Sequence, residues 1–116
     1  MPFYINSNHT EAPEKITRAL HKCIQRHNAS WSEIVFLCIG SDRIIGDCLG
    51  PFVGQLLDSC TTAGVSVYGT LQKPVHALNL EPVLNYIHQH HPDSLIIAID
   101  ASLGQKKHLG YVTIDN

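Results

Sequence analysis

Acidic residues and an arginine are concentrated in one polar loop of this sequence. The loop spans residues 40–51 and reads Gly-Ser-Asp-Arg-Ile-Ile-Gly-Asp-Cys-Leu-Gly-Pro, so Asp42, Arg43 and Asp47 lie close together along the chain. Another carboxylate, Asp100, directly follows the apolar run Leu-Ile-Ile-Ala-Ile. Two facing carboxylates can act as general base and general acid on water, or can hold a divalent metal that polarises a carbonyl. Either chemistry requires Asp47 and Asp100 to be neighbours in the fold.

The segments on either side of the loop predict how its side chains are positioned. Residues 34–39 are consecutively apolar, which is typical of a strand buried on both faces of a parallel sheet. After the loop, a helix to about residue 62 is expected, with this stripe buried: Phe52, Val53, Leu56, Leu57 and Cys60. The loop therefore joins the carboxyl end of a strand to a helix, where open parallel sheets bind their ligands.

Hydrophobic periodicity and turn residues predict the other elements. In chain order they are a loosely ordered segment over 1–11, a helix over 13–27, a strand over 65–68, a helix after Asn79 and a strand over 95–99. Asn79 is expected to cap its helix. The stretch 101–109 is shorter than the ~10–12 residues of a crossover helix, so the last strand, 111–114, is expected to run antiparallel to a neighbour.

This alternation of helices and strands predicts a single α/β domain with three layers, α/β/α, and a mostly parallel sheet. If the strand over 34–39 lies between those over 65–68 and 95–99, the first and third strands are neighbours at a topological switch point. The loop with Asp47 and the strand tip with Asp100 then face each other across one crevice. An ionised group beside a buried apolar run needs such a partner.

Other interpretations of the loop remain open from the sequence. Asp47 precedes a helix and could satisfy its first N–H groups, and Asp42 could form a surface ion pair with Arg43. A nucleotide-binding, flavodoxin-like module is disfavoured, because five residues separate Gly40 from Gly46 where a P-loop has four. An aspartate also stands where the P-loop has its lysine.

Thiols and histidines offer further chemistry. Cys48 could act as a nucleophile if His76, in the loop after the second strand, lay within hydrogen-bond reach, although an inert thiol is the simpler interpretation. His108, in the last loop, could ligate a metal. The other thiols lack CxxC spacing and are expected on buried apolar faces: Cys23, Cys38 and Cys60.

Composition excludes several classes of partner. The chain has 116 residues and a formal net charge of −2, so it offers no basic surface for nucleic acid or an anionic membrane. No apolar run approaches the ~20 residues of a membrane span. The amino terminus lacks the basic-then-apolar pattern of a secretory signal, which predicts a cytoplasmic protein.

Three blocks of sequence carry a resemblance to a known family. They are the loop over 40–51, the segment over 67–80 with Val-Tyr-Gly-Thr-Leu and Pro-Val-His-Ala-Leu-Asn-Leu, and Ile-Ala-Ile-Asp-Ala-Ser-Leu-Gly over 97–104. Together they resemble the YyaC-like sporulation proteins of spore-forming Firmicutes. That family is similar to the spore germination protease and, more distantly, to the hydrogenase maturation proteases.

The resemblance implies a phosphorylase/hydrolase-like, germination-protease-like fold, a hydrolase activity, and a peptide or small spore protein as substrate. The germination protease has two aspartates in Asp-x-Leu-Gly-Pro and Ile-Asp-Ala contexts, which Asp47 and Asp100 match. In the hydrogenase maturation proteases the acidic positions bind a metal with a histidine from a later segment. That histidine has no counterpart here, so no cofactor is expected, and a divalent metal at the two aspartates is not favoured.

Two departures from the family pattern bear on these expectations. Ile44 and Ile45 stand where family members have small hydroxyl residues, which makes the loop less polar. Family domains also continue with another glycine-rich loop, a helix and a strand, whereas this sequence ends at Asn116. The chain is therefore expected to be a partial domain.

The sequence thus predicts a sporulation-associated peptidase in the cytoplasm of a sporulating cell or forespore. Asp47 and Asp100 would activate water on a peptide carbonyl, as an aspartate-dependent endopeptidase does. Asp42, Arg43 and His76 would bind the substrate, with Arg43 orienting a carboxylate or the peptide backbone. The alternative is a non-catalytic sporulation protein that binds a peptide or partner in the same crevice.

Overall fold

The computed structural model describes residues 2–27, 30–41, 43, 46–102 and 106–116. Its strands and helices are, in chain order, β1 (Phe3–Asn6), α1 (Ala12–Gln25), β2 (Glu33–Ile39), α2 (Leu49–Asp58), β3 (Val65–Tyr68), α3 (Leu80–His90), β4 (Ser94–Asp100), a short 3₁₀ helix (Lys106–His108) and β5 (Tyr111–Ile114). They form two compact units. Residues 1–29 and 103–116 make the terminal unit and residues 30–102 the central unit, where the sequence predicted one domain.

The terminal unit pairs the two ends of the sequence. β1 and β5 form an antiparallel sheet in which Phe3 is opposite Ile114. The antiparallel direction of the last strand was predicted, but its partner is the segment that was expected to be loosely ordered. Phe3 and Ile5 point to the core while Tyr4 is exposed, which is the two-residue period of a strand. Helix α1 covers this sheet, and the buried residues are Ile5, Ala12, Ala19, Cys23 and Ile114.

The central unit contains a parallel sheet with the strand order β3-β2-β4. The predicted arrangement, with the earliest of these strands between the other two, is therefore confirmed. β4 is an edge strand among the strands that the structure describes, although its continuous apolar run is typical of a central strand. Ala98 and Asp100 are exposed on it, whereas Val35 and Cys38 of β2 are fully buried.

Helix α3 packs on one face of the parallel sheet. Its Ile87 is fully buried and packs in a cluster with Val35 and Leu37 of β2. The predicted helix after Asn79 is confirmed, and three more of its apolar residues contact the same cluster: Leu80, Val83 and Leu84. None of the described helices is long and apolar enough to cross a membrane.

Helix α2 approaches the sheet through small residues, not through the large residues that were predicted. Its buried positions are Gly50, Pro51 and Gly54. A methyl group at Gly50 would overlap the carbonyl group of Ile39, and one at Gly54 would overlap the carbonyl oxygen of Gly69, just after β3, and lie 3.2 Å from the Cβ of Cys38. Backbone therefore packs directly on backbone, which only glycine permits.

The close contact of α2 leaves much of its large apolar stripe outside the core. Phe52 and Leu56 are 53% and 70% exposed, and Cys60 is exposed beyond the end of the helix. Val53 and Leu57 are half-buried. The predicted stripe is thus wrong for its most exposed members, because the glycines at i and i+4 select a different buried face. The helix also ends at Asp58, earlier than expected.

Candidate functional site

The carboxyl ends of β2 and β4 lie side by side. Ile39, the last residue of β2, is opposite Asp100, the last residue of β4. A single parallel bridge also joins Ile39 to Val75, in the loop after β3. The segments that follow all three strands therefore come to one edge of the sheet, which is where parallel sheets bind ligands.

Backbone hydrogen bonds fold the loop after β2 over this edge. The Gly40 N–H donates to the Val75 carbonyl at 2.8 Å, and the Ser41 N–H donates to the Asp47 carbonyl at 2.9 Å. Gly40 has a φ of +155°, and a methyl group there would overlap the Asp47 carbonyl oxygen. A glycine at this position therefore lets the chain return so that Asp47 lies beside the end of β2.

Asp47 and Asp100 are brought together at this edge. Partial burial raises the pKa of the Asp100 carboxyl, the negative charge of Asp47 raises it further, and the backbone N–H of Ala101 lowers it. A carboxylate shifts another carboxyl in this way only at short range. Asp100 is also exposed, so water reaches the pair. Two neighbouring carboxyls can serve as acid and base on one water molecule.

Asp47 does not occupy the N-cap position that was considered for it. Helix α2 begins at Leu49 and Cys48 occupies its N-cap position, one residue after Asp47. The Cys48 side chain makes no capping hydrogen bond to the described residues. Cys48 is half-buried, and the pockets that His76 lines do not include it. A Cys48–His76 nucleophile is therefore not supported by the described geometry.

Arg43 and His76 line a common pocket at the same edge. Its volume is about 330 Å³, and Ser41 lies on its wall with Leu71, Gln72 and Pro74. The lining residues that the structure describes include no acidic side chain. A guanidinium beside a hydroxyl and an imidazole suits a carboxylate or a peptide carbonyl. Asp42, the third predicted binding residue, lies outside the described residues, as do Ile44 and Ile45.

Hydrogen bonds fix the loop that carries His76. Its backbone N–H donates to the Asn79 Oδ1 at 2.8 Å, and its Nδ1 accepts from the Leu78 N–H at 3.2 Å. The neutral ring then carries its proton on Nε2. Asn79 does occupy the predicted N-cap position of α3, but its side chain bonds the preceding loop, since Nδ2 also donates to the Pro74 carbonyl at 3.0 Å.

Comparison with known proteins assigns this chain to a family. Residues 4–116 match the family model described as a protein of unknown function, DUF1256. The chain belongs to the DUF1256 family. It is also 39% identical over 107 residues to a protein of Bacillus subtilis (strain 168) named "Uncharacterized protein YyaC". That match covers 92% of this chain and 51% of the relative, so the chain spans about half the length of the curated relative.

The predicted membership of a YyaC-like family is therefore confirmed. The relation to the germination and hydrogenase maturation proteases stays a prediction. No solved structure matches the chain.

Among the residues that the structure describes, donors for a metal ion are few. Asp47 and Asp100 supply carboxylate oxygens, but the described residues contain no group of three or more His, Cys, Asp or Glu that could hold a metal ion. His108, the other candidate ligand, belongs to the terminal unit, where its ring stacks on Tyr4 with centroids 4.4 Å apart.

The remaining three thiols differ in their exposure to solvent. Cys23 and Cys38 are buried, as predicted, while Cys60 is exposed, contrary to the prediction. Burial raises the pKa of the Cys38 thiol to about 11, so it stays protonated and unreactive near neutral pH.

Ser41 lines the pocket of Arg43 and His76 and was not among the predicted site residues, although its position two residues before Arg43 is a usable signal.

The Asp47→Asn substitution tests the contact between the two aspartates. We expect the pKa of Asp100 to fall toward its ordinary value of 3.8, because the second of its two raising causes is removed. The measurement is a carboxyl-carbon NMR titration of Asp100. Asp93→Asn, at the opposite end of β4, is the control and should leave this pKa unchanged.

The same titration has a consequence for stability. A carboxyl whose pKa is raised in the folded state binds its proton more tightly than in the unfolded chain, so stability falls as the pH rises from the ordinary value, 3.8, through the raised one. Asp47→Asn should narrow the acidic pH range over which stability falls, because it should lower the pKa of Asp100 in the folded state. An unchanged pKa of Asp100 in this variant would show that the two carboxyls do not interact.

Proposed function

We propose that this DUF1256 chain is a sporulation-associated peptidase of the germination-protease type, in which Asp47 and Asp100 activate water on a peptide carbonyl. The observation that carries the proposal is that Asp100 ends β4 opposite Ile39 of β2, and that the Asp47 carbonyl accepts from the Ser41 N–H, two residues after Ile39. The charge of Asp47 also contributes to the raised pKa of Asp100, and neighbouring carboxyls with a perturbed pKa are typical of acid–base catalysis. The proposed place of action is the cytoplasm of a sporulating cell or forespore.

The two carboxyls have complementary roles in the proposed reaction. Ionised Asp47 accepts a proton from water while the water oxygen attacks the peptide carbonyl carbon. Asp100, whose pKa is raised, donates its proton to the carbonyl oxygen. When the tetrahedral intermediate collapses, Asp47 returns its proton to the departing nitrogen and the hydroxyl group returns one to Asp100. Both residues end in their starting states.

A three-layer, germination-protease-like arrangement of the central unit is part of this proposal. Helix α3 packs on the face of β2 that carries Leu37, and Gly54 of α2 lies against Cys38. Since successive strand residues point to opposite faces, this supports helices on both sides of the sheet. The edge with the aspartates would then open between the two helical layers.

The Ser41–Arg43–His76 pocket would position the substrate. Its arginine can pair with a carboxylate in a bidentate manner, and its imidazole Nε2–H can donate to a peptide carbonyl. The aspartates are outside the lining of this pocket. Binding and bond cleavage would thus use adjacent groups at the same edge.

Digestion of spore proteins tests the proposal. The purified chain, with B. subtilis YyaC in parallel, is incubated with a spore protein extract from acid to neutral pH, and the products are read by mass spectrometry. We expect discrete new peptides with both proteins. If neither protein releases fragments at any pH, the peptidase assignment is wrong.

The second candidate function is peptide or partner binding without cleavage. It is favoured by the Arg43 and His76 pocket, which is complete without either aspartate. It predicts that spore peptides bind and are recovered intact. The same digestion therefore separates the two candidates, because only the peptidase yields fragments.

A further inference from the structure

The outer edge of β3 has no partner strand among the residues that the structure describes. The Gly64 carbonyl accepts from the Ile34 N–H at 2.9 Å, so in the parallel ladder Ser66 and Tyr68 bond to β2. The backbone groups of Val67 then point the other way. β3 is an edge strand among the strands that the structure describes. An extended chain could bond to this edge through alternate residues.

Nothing in the sequence of β3 protects this edge. Protein sheets usually guard their edge strands with proline, charged side chains or bulges. β3 reads Val-Ser-Val-Tyr and contains neither a charge nor a proline, and its four residues are all half-buried. Such an edge is suited to receiving another strand.

A groove of about 890 Å³ runs along β3. Residues from the ends of two helices line it. Asp58 and Thr61 come from the end of α2 and the segment after it, and Asn79 and Val83 come from the start of α3. The residues of β3 line it as well. This shape and volume suit an extended peptide with its side chains alternating between the two sides.

The groove leads into the candidate site and has unlike charges at its two ends. It shares Gln72, Pro74 and His76 with the Ser41–Arg43–His76 pocket. Lys73 lines it at the end that follows β3, and Asp58 lines it toward the end that precedes β3. A peptide with an acidic end at Lys73 and Arg43 would match this polarity.

We propose that an extended peptide segment with an acidic end docks on β3 as an added strand, with its acidic end in the Ser41–Arg43–His76 pocket. The inference rests on the proposed function, because it names how the peptide substrate is held. Main-chain hydrogen bonds to Val67 supply affinity, and Lys73 and Arg43 select the acidic end. Bond cleavage itself would still depend on the aspartates.

Backbone methylation of a peptide tests the added strand. The probe is a fluorescent peptide of alternating valine and threonine that ends in two glutamates, and Asp100→Asn protein is used so that the probe stays intact. N-methylation at alternate peptide positions should weaken binding about tenfold, the cost of a lost backbone hydrogen bond, and the positions between should have little effect. The Val67 N–H should gain hydrogen-exchange protection on binding.

Charge reversal tests the proposed polarity. Lys73→Glu should weaken the acidic probe about threefold, as expected for an exposed charge pair, and should improve a probe that ends in lysines. Arg18→Glu, an equal charge change at an exposed position of α1, is the control and should change neither affinity. Equal effects of the two substitutions would contradict the assigned groove.

The outcomes separate this inference from the proposed function. Alternating sensitivity to methylation in the absence of any digestion would support the docking site and refute the peptidase. Digestion by wild-type protein with no alternation would refute the docking site and support the peptidase. If sedimentation instead shows a dimer that the probe does not dissociate, β3 pairs with a second copy and the inference is wrong.

Discussion

Asp100→Asn is expected to abolish peptide cleavage, with a loss of about a hundredfold to ten-thousandfold in rate, the usual contribution of a general acid. An amide of the same shape cannot donate the required proton to the carbonyl oxygen. Asp47→Asn should be equally inactive, because it cannot accept a proton from water. The measurement is the rate of fragment release from one cleaved spore peptide, with Asp93→Asn, at the residue that precedes β4, as the control.

The stability of the Asp100→Asn variant separates a catalytic role from a structural one. Burial and the charge of Asp47 both raise the pKa of Asp100, so its ionised form is disfavoured in the folded state. A neutral amide removes that repulsion, and Tm at neutral pH should therefore stay the same or rise. Residues that act in a site often cost stability in this way. Full cleavage by Asp100→Asn, or a fall in Tm that accounts for the lost activity, would contradict the assignment.

The pairing of the aspartates could be predicted because its determinants are local. The apolar runs that become β2 and β4 are continuous; the loop that follows β2 carries Asp47, and β4 itself ends in Asp100. Only the strand order had to be inferred, and the observed order places Ile39 opposite Asp100. Arg43 and His76 were likewise predicted from the loops that follow β2 and β3, and they share one pocket.

The terminal unit could not be predicted in the same way, because its strands depend on each other across the whole sequence. β1 has only Phe3 and Ile5 as core residues, which is too short a pattern to indicate a strand alone. Its partner, Tyr111–Ile114, lies at the other end of the chain. The strand forms because β5 satisfies its backbone groups, and a sequence pattern that covers only a few neighbouring residues contains no information on that partner.

Helix α2 shows how tertiary contact overrides helical periodicity. The apolar stripe through Phe52 and Leu56 indicated one buried face, but the contact with β2 is made through Gly50 and Gly54. Glycine spaced at i and i+4 in an otherwise apolar helix was the available signal. It marks a helix face that another backbone approaches closely. Which face of α2 is buried therefore depends on its contact with the sheet and not on the apolar periodicity of the helix.

Gly50→Ala measures that contact, and two opposing effects decide its sign. In an exposed helix, alanine in place of glycine would stabilise by about 1 kcal/mol. Here the added methyl group overlaps backbone atoms of Ile39, which cannot rotate away as a side chain can. Overpacking of this kind costs about 1–3 kcal/mol and more when backbone must move. We therefore expect a net loss of about 2 kcal/mol in the free energy of unfolding, measured by urea denaturation with an unchanged m-value.

Gly46→Ala is the matched control, since it makes the same chemical change in the loop that precedes α2. Gly46 has a φ of +90°, and no heavy atom of the described residues lies within 4 Å of its added Cβ, so the expected cost of about 1 kcal/mol comes from backbone conformation. Gly50→Ala should exceed it and should also displace the start of α2, and with it Asp47, from the end of β2. The interaction that raises the pKa of Asp100 would then weaken. If Gly50→Ala is instead as stable as wild type, α2 does not lie against β2 through its glycines, and the geometry that brings Asp47 to Asp100 is wrong.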